Sequence, residues 1–181
     1  MTETRSGAGR RQLIIMLLIA GTSLGGSWAL FLFTRDGTPW GTTNNGTFVN
    51  PPVVVSTLGL TDSDGVPVSD DPTWWIWVVQ PGACDGTCED ALHQLRQLHV
   101  LLHRDADRVR RALVTRERIE PGELAALYPE LVFLSGNVSA LVPGIYLVDP
   151  HGNLVLQYPL EAAGKPVLED LKRLLKVSQI G

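Results

Sequence analysis

Both cysteines of this 181-residue chain fall within one pentapeptide, Cys84-Asp85-Gly86-Thr87-Cys88. The apolar run WWIWVV at 74–79 precedes it and a helical pattern begins at about Thr87, so the pair stands between a buried strand and a helix N-terminus. Backbone N–H groups at such a terminus favour negative charge, which lowers a thiol pKa and enlarges the thiolate fraction. Thiolate is the form that attacks disulfides and binds soft metal ions. Four-residue spacing on a forming helical turn puts both sulfurs on one side, where they either oxidise to a disulfide or hold one soft ion. Copper(I) suits this donor pair, whereas a structural zinc site calls for four ligands and no other cysteine is present. Two other uses of the pair stay open: a stabilising disulfide, although a loop of about five residues gains only roughly 2 kcal/mol from closure, and two inert buried thiols.

Few other residues have the chemistry to join them. Of the 4 histidines, His99 lies on the apolar face of the helix that starts near Cys88, but about 16 Å further along it, and reads as a core or interface residue. His93 and His103 read as surface residues. His151 occupies a hairpin tip separated from residues 142–143 by a strand roughly 20 Å long, which argues against ligation. Pro143 precedes the strand expected to neighbour the cysteine-bearing one. Either peptide isomer is open to it from sequence, and the cis form would expose backbone groups beside the dithiol for an extended substrate.

The elements that must position these residues follow from periodicity. Residues 53–60 are a β-branched run, and Asp64-Gly65 is a turn signal leading into Val66 and Val68, together an expected β-hairpin. Residues 74–79 are apolar on both alternating faces, as in a central strand covered on each side. Cys88, Ala91, Leu92, Leu95, Leu98 and Leu102 recur at helical spacing through about 87–103. A strand at 109–115, a short helix opened by Pro121 and running to about Tyr128, a strand at 145–149, a turn at Pro150-His151-Gly152 and a return at 154–158 follow. Pro166 opens a last helix with Leu168, Leu171, Leu174 and Leu175 on one stripe. The order β-α-β-α-β-β-α implies a mixed sheet covered by helices on both faces and resembles the thioredoxin topology, with a hairpin added in front. No internal repeat is present.

The remaining text sets the compartment. Residues 13–33 carry no charge and are just long enough to cross a hydrocarbon core of about 30 Å. The run is longer than the apolar region of a signal peptide and ends in Trp28, Leu30, Phe31 and Phe33, which favours an uncleaved anchor in the lipid bilayer. Arg5, Arg10 and Arg11 precede it and only Arg35 follows closely, so the positive-inside rule puts the N-terminus in the cytoplasm. In a bacterium the domain then faces the periplasm from the inner membrane, where thiol chemistry needs a purpose because thiols tend to oxidise. The expected organisation is a cytoplasmic N-terminus at 1–12, a transmembrane anchor at 13–33, a Gly-, Thr- and Asn-rich linker at 34–52 and one domain at 53–181. With 15 basic and 19 acidic residues and a net charge of −4, the chain has no basic footprint for nucleic acid. The sequons Asn45-Gly46-Thr47 and Asn137-Val138-Ser139 carry little weight.

Three segments, in order behind one anchor, resemble the Sco/SenC family of copper-handling proteins within the thioredoxin-like superfamily. They are LTDSDGVPVS at 60–69, the Cys84-x-x-x-Cys88 loop after an apolar strand, and IYLVDPHGNLVLQYP at 145–159. The resemblance implies a thioredoxin-like domain and a role in maturing the copper centres of cytochrome c oxidase, with an oxidase subunit or another assembly factor as partner. It also implies that Cys84 and Cys88 act as copper(I) ligands or as a thiol reductant. The family places a metal-binding histidine a few residues before the strand that here runs Tyr146-Leu147-Val148-Asp149-Pro150, where this chain has Ala140-Leu141-Val142-Pro143. Loss of an imidazole weakens copper(II) binding most, since two thiolates still suit copper(I). The reading therefore favours thiol–disulfide exchange, which requires no cofactor, with Cys84 attacking, Cys88 resolving and Pro143 positioning the target. A copper(I) chaperone using the same cysteines and a non-catalytic assembly protein are the alternatives. If the loop is built as in Sco proteins, Leu141→His is expected to restore a third ligand.

Overall fold

The computed structural model describes residues 6–35, 43–68, 72–120 and 122–178. Between Thr43 and Asn44 the chain divides into two compact units. The first holds helix α1, Ser6–Arg35, within which 26 residues from Gly9 to Thr34 are long and apolar enough to cross a membrane. Both threonine hydroxyls inside this stretch bond back to their own helix, Thr22 to the carbonyls of Leu18 and Ile19 and Thr34 to that of Leu30, so neither presents an unmet donor to an apolar surround.

The second unit is a six-stranded mixed sheet in the order β1-β6-β5-β2-β3-β4. Its strands are β1 Thr47–Val54, β2 Trp74–Val79, β3 Val109–Thr115, β4 Leu131–Ser135, β5 Gly144–Val148 and β6 Asn153–Tyr158. β2, β3 and β4 run parallel, while β5, β6 and β1 are antiparallel to their neighbours. Every residue of β2 is buried, so its side chains divide between two cores. Trp74, Ile76 and Val78 meet one face, where helix α2 (Gly86–Leu101), residues of and after α3 (Gly122–Leu127), and α4 (Lys165–Val177) contribute Ala91, Leu95, Tyr128, Val167 and Leu171. Trp75, Trp77 and Val79 meet the other face.

That second face departs from expectation. Its core draws on Leu58, Leu60, Val138 and Leu141, which lie in a 3-10 turn (Val55–Leu58) and in loops, and on no α-helical residue among those described. The thioredoxin-like mixed sheet with flanking helices is present, but α2, α3 and α4 all feed the same core.

The front of the domain also differs. Strand β1 starts at Thr47, inside the segment read as linker, and carries Pro51-Pro52; proline cannot donate to a ladder, so β1 sits at the sheet edge with a register shift between Phe48 and Val53. The expected hairpin shrinks to a bridge between Thr61 and Pro67, closed by Asp62 Oδ1, which accepts from the N–H groups of Asp64 (2.9 Å) and Val66 (2.8 Å). Thr61 exchanges two backbone hydrogen bonds with Ser135, both 2.9 Å, so this small turn covers part of the free edge of β4. β4 itself is an additional strand. Helix α3 begins at Gly122, and Pro121 lies outside the described residues. The one cis peptide bond among the described residues is Asn50–Pro51, so Val142–Pro143 is trans.

One buried carboxylate joins the start of the domain to its end. Asp170 on α4 is 2% exposed and accepts from the backbone N–H of Asn45 (2.6 Å) and Gly46 (2.9 Å) and from the hydroxyl of Tyr158 (2.8 Å). The Tyr158 phenol is pushed well above its ordinary pKa, first by burial and then by its hydrogen bond to Asp170 and the charge of that group. Asp170→Ala leaves these donors without an acceptor and is expected to cost roughly 3 kcal/mol in urea unfolding. A loss below about 1 kcal/mol would show that the residues before β1 are not anchored through this group.

Candidate functional site

The loop after β2 is held from both sides before it reaches the cysteines. The N–H of Gln80 donates to Val114 O at 3.0 Å and its amide reaches Ala83 O at 3.3 Å. Asp85 then takes an extended backbone and caps α2: its Oδ1 accepts from the N–H of Cys88 at 3.1 Å, and its carbonyl from that of Glu89 at 2.8 Å. Cys84 therefore stands just outside the helix and Cys88 in its first turn. The two are joined as a disulfide with Cα atoms 5.2 Å apart. Their surroundings are unequal. Cys88 is 0% exposed and packs in the core with Ala91 and Leu92, whereas Cys84 is half-buried at the edge of that core. An incoming thiolate in line with the S–S bond meets Cys84 first. Beside the loop, Pro81, Gly82 and Ala83 face Thr115, Arg116 and Arg118 across an open cleft of about 330 Å³.

Pro143 is exposed and sits one residue before Gly144, which pairs with Val79 at the end of β2. It thus shares the sheet end from which the cysteine loop leaves. The Tyr146 hydroxyl, from a side chain 2% exposed, donates to Val142 O at 2.9 Å and holds this turn in place. Gly144 is needed for close approach, because a Cβ there would come within 2.5 Å of Tyr158 O.

The histidines stay away from the pair. His93 meets Gln97 on the exposed side of α2, and His151 is exposed at the β5–β6 turn. His99 places Nε2 against the carbonyls of Ala106 (3.1 Å) and Val109 (2.9 Å), tying the end of α2 to the start of β3. His103 is a left-handed residue (φ 52°) opening the 3-10 turn after α2. Among the described residues no three His, Cys, Asp or Glu side chains form a group that could hold an ion. Leu141 is 7% exposed and belongs to the core with Trp77 and Val79, across the sheet from Cys88.

Asp85 is the participant that reading the cysteines alone misses, though an aspartate just before a helical pattern is a standard N-cap signal. It satisfies the Cys88 N–H that would otherwise help to stabilise a thiolate, and it adds a negative charge to the loop that joins the two cysteines.

A mixed sheet of this order, with a dithiol loop leaving its central strand into a capped helix, defines a thioredoxin-like domain. A family model described as the transmembrane-like, thioredoxin-like, C-terminal domain matches residues 74–178, and the chain belongs to that family. No curated protein matches in sequence. Among solved structures the chain is similar to yeast Sco1 with copper bound, at 18% identity over 76% of this chain and 96% of that one, TM-score 0.54. It is similar to apo Sco1 of Thermus thermophilus at 21% identity, 73% and 97% coverage and TM-score 0.53. A third match is BsSco, described with a disulfide switch and as a member of the Sco family of cytochrome c oxidase assembly proteins, at 18% identity, 75% and 98% coverage and TM-score 0.51. At these identities the likeness establishes the fold.

Two substitutions test this geometry. Asp85→Asn keeps the cap acceptor and removes its charge, so the pH profile of alkylation of the reduced protein should move to lower pH, with about threefold faster labelling at neutral pH. An unchanged profile would mean that the carboxylate does not act on the sulfurs. Leu141→His places a polar ring in the core opposite the dithiol and is expected to lose roughly 2–3 kcal/mol of stability with no gain in copper(II) affinity by titration. Tighter copper(II) binding would show instead that residue 141 reaches the cysteines.

Proposed function

We propose that this chain is a membrane-anchored, periplasm-facing dithiol protein that assists assembly of the copper centres of cytochrome c oxidase by thiol–disulfide exchange through Cys84 and Cys88. The observation that carries the reading is the unequal burial of a bonded pair: one sulfur at the edge of the core, the other sealed beneath it at the start of a capped helix. α1, preceded by Arg5 and with Arg10 and Arg11 near its start, is the bilayer anchor, and the positive-inside rule puts the domain outside.

In the reduced protein the Cys84 thiolate attacks one sulfur of a target disulfide. The target S–S bond breaks, a mixed disulfide forms, and the departing target sulfur takes up a proton. Cys88 gives up its proton and attacks the Cys84 sulfur, releasing the second target thiol and closing the Cys84–Cys88 bond. Two electrons have then passed to the target, and an external dithiol must supply two more before the next cycle. The target backbone runs past Pro143, at the sheet end it shares with the cysteine loop, and its side chains enter the cleft between Ala83 and Arg116.

The second reading, copper(I) delivery, is favoured by the copper-bound relative of the same fold. The two sulfurs fit a soft ion once reduced, and copper is then cargo held by Cys84 and Cys88 alone among the described residues.

One experiment separates these readings. Reduced full-length chain in lipid nanodiscs is mixed with an oxidised peptide carrying the two cysteines of an oxidase copper site, and in parallel with copper(I) and a competing chelator. Exchange requires that Cys88→Ser accumulates a mixed disulfide through Cys84 while Cys84→Ser does not. Tight binding of about one copper(I) per chain, lost in the double-serine variant and without peptide exchange, would replace the reductase reading with a chaperone. Full oxidase assembly in cells carrying only the double-serine variant would reject both and leave a protein acting through its contacts.

A further inference from the structure

The sheet end opposite the dithiol carries a second set of functional groups. Arg111 lies in β3 between Val109 and Leu113, on the face covered by α2, with its side chain 6% exposed. A guanidinium has five N–H donors, and one so buried needs partners for its charge. Among the described residues both of its contacts come from a single nitrogen: Nη2 reaches Pro129 O at 3.4 Å and Glu130 Oε2 at 3.8 Å. Glu130 is itself 76% exposed, in a turn at φ 72°, so it is a solvated counter-charge near the outer limit of ion-pair distance. Burial is the largest influence on Arg111 and draws its pKa below the ordinary value despite Glu130.

This side chain lines a half-open cleft of about 450 Å³ at the starts of β3 and β4, within the size range of small-molecule sites. The walls are mixed. Val109 and Leu131 are apolar, Asp107 and Glu130 are acidic, Arg110 lines the cleft with its guanidinium turned over the Trp75 ring (4.7 Å to the centroid), and His99 is pinned in place by its bonds to the carbonyls of Ala106 and Val109. Two acidic groups at the walls disfavour a doubly charged ligand, while the buried fork suits the two oxygens of a carboxylate.

We propose that this cleft binds a small monocarboxylate with an apolar body, its carboxylate held by Arg111 and its body against Val109 and Leu131. The site is independent of the dithiol, which leaves the other end of β2.

The test titrates benzoate into the full-length chain in lipid nanodiscs, followed by the arginine side-chain N–H resonances, with benzyl alcohol as the neutral probe. Saturable benzoate binding is expected, at least tenfold tighter than that of benzyl alcohol and weakened at least tenfold by Arg111→Gln. Because a buried substitution can disturb folding, Glu130→Gln on the exposed side provides the second arm: removing the competing carboxylate should tighten benzoate binding several-fold. A response that does not saturate, equal binding of the two probes, or no tightening in Glu130→Gln would overturn the proposal. The variant with both cysteines replaced by serine must bind benzoate as the parent chain does, and a loss there would overturn the independence of the two sites.

Discussion

All six residues of β2 are buried, so each side of the strand must be covered by something else in the chain. Trp74, Ile76 and Val78 recruit α2 and α4, and Trp75, Trp77 and Val79 recruit the turns around Leu58, Val138 and Leu141. The position of the dithiol depends on this double demand. A one-residue slip of β2 would exchange Trp74, Ile76 and Val78 with Trp75, Trp77 and Val79 between two differently packed cores, and the loop that leaves its end is fixed by Gln80 against β3 and by the Asp85 cap at α2. Cys88 is then drawn into the α2 core by the same apolar stripe that orients the helix, and the covalent bond keeps Cys84 beside it. The asymmetry of the pair is thus a by-product of how the central strand is packed.

Opposing electrostatic influences meet at this loop. The N-terminus of α2 favours a thiolate through its unpaired N–H groups, worth about 0.3–1 kcal/mol at an exposed site. Asp85 opposes that preference twice, by consuming the Cys88 N–H and by contributing a full negative charge. Glu89 and Asp90, exposed on the same helical turn, add to the negative side. A dithiol in such surroundings holds its electrons less tightly than one with a neutral cap, since the reduced form is stabilised where thiolate is stabilised. Under the proposed function, local charge therefore favours donation of electrons to a target over extraction of them.

Patterns that repeat over many residues carried the most information in the sequence. The two-sided apolar run at β2, the helical stripe of α2 and the strand at Val109–Thr115 all appear where periodicity puts them, as does the pairing of β5 with β6. β4 did not announce itself, because five residues between Pro129-Glu130 and Gly136 are too few for an alternating pattern, and only parallel pairing with β3 makes them a strand. β1 was hidden for the opposite reason: Pro51 and Pro52 read as linker, yet an edge position tolerates them. The cysteine pair was legible from its place between strand and helix. The isolation of the histidines from it was partly so, through helical rise and strand length. The depth of Arg111 was not, since an arginine beside Arg110 reads as surface until α2 and the Pro129–Glu130 turn close over it.

The segment before β5 bears most directly on the choice between metal and thiol chemistry. A side chain can reach the dithiol from this turn only if it leaves on the α2 side of the sheet. Leu141 leaves on the other side, and its burial with Trp77 and Val79 helps to cover the face that has no α-helix among the described residues. An imidazole at that position would have to be withdrawn from the core, which would uncover the tryptophan beneath it. Val142 and Pro143 are exposed, and the Tyr146 hydroxyl fixes the backbone at Val142. The turn is thus built as a packed cover with a backbone surface at its tip. Under the proposed function, an exposed backbone at the sheet end from which the cysteine loop leaves suits an extended polypeptide carrying a disulfide better than it suits a metal ion in need of a third ligand, an objection that copper(I), content with two sulfurs, escapes.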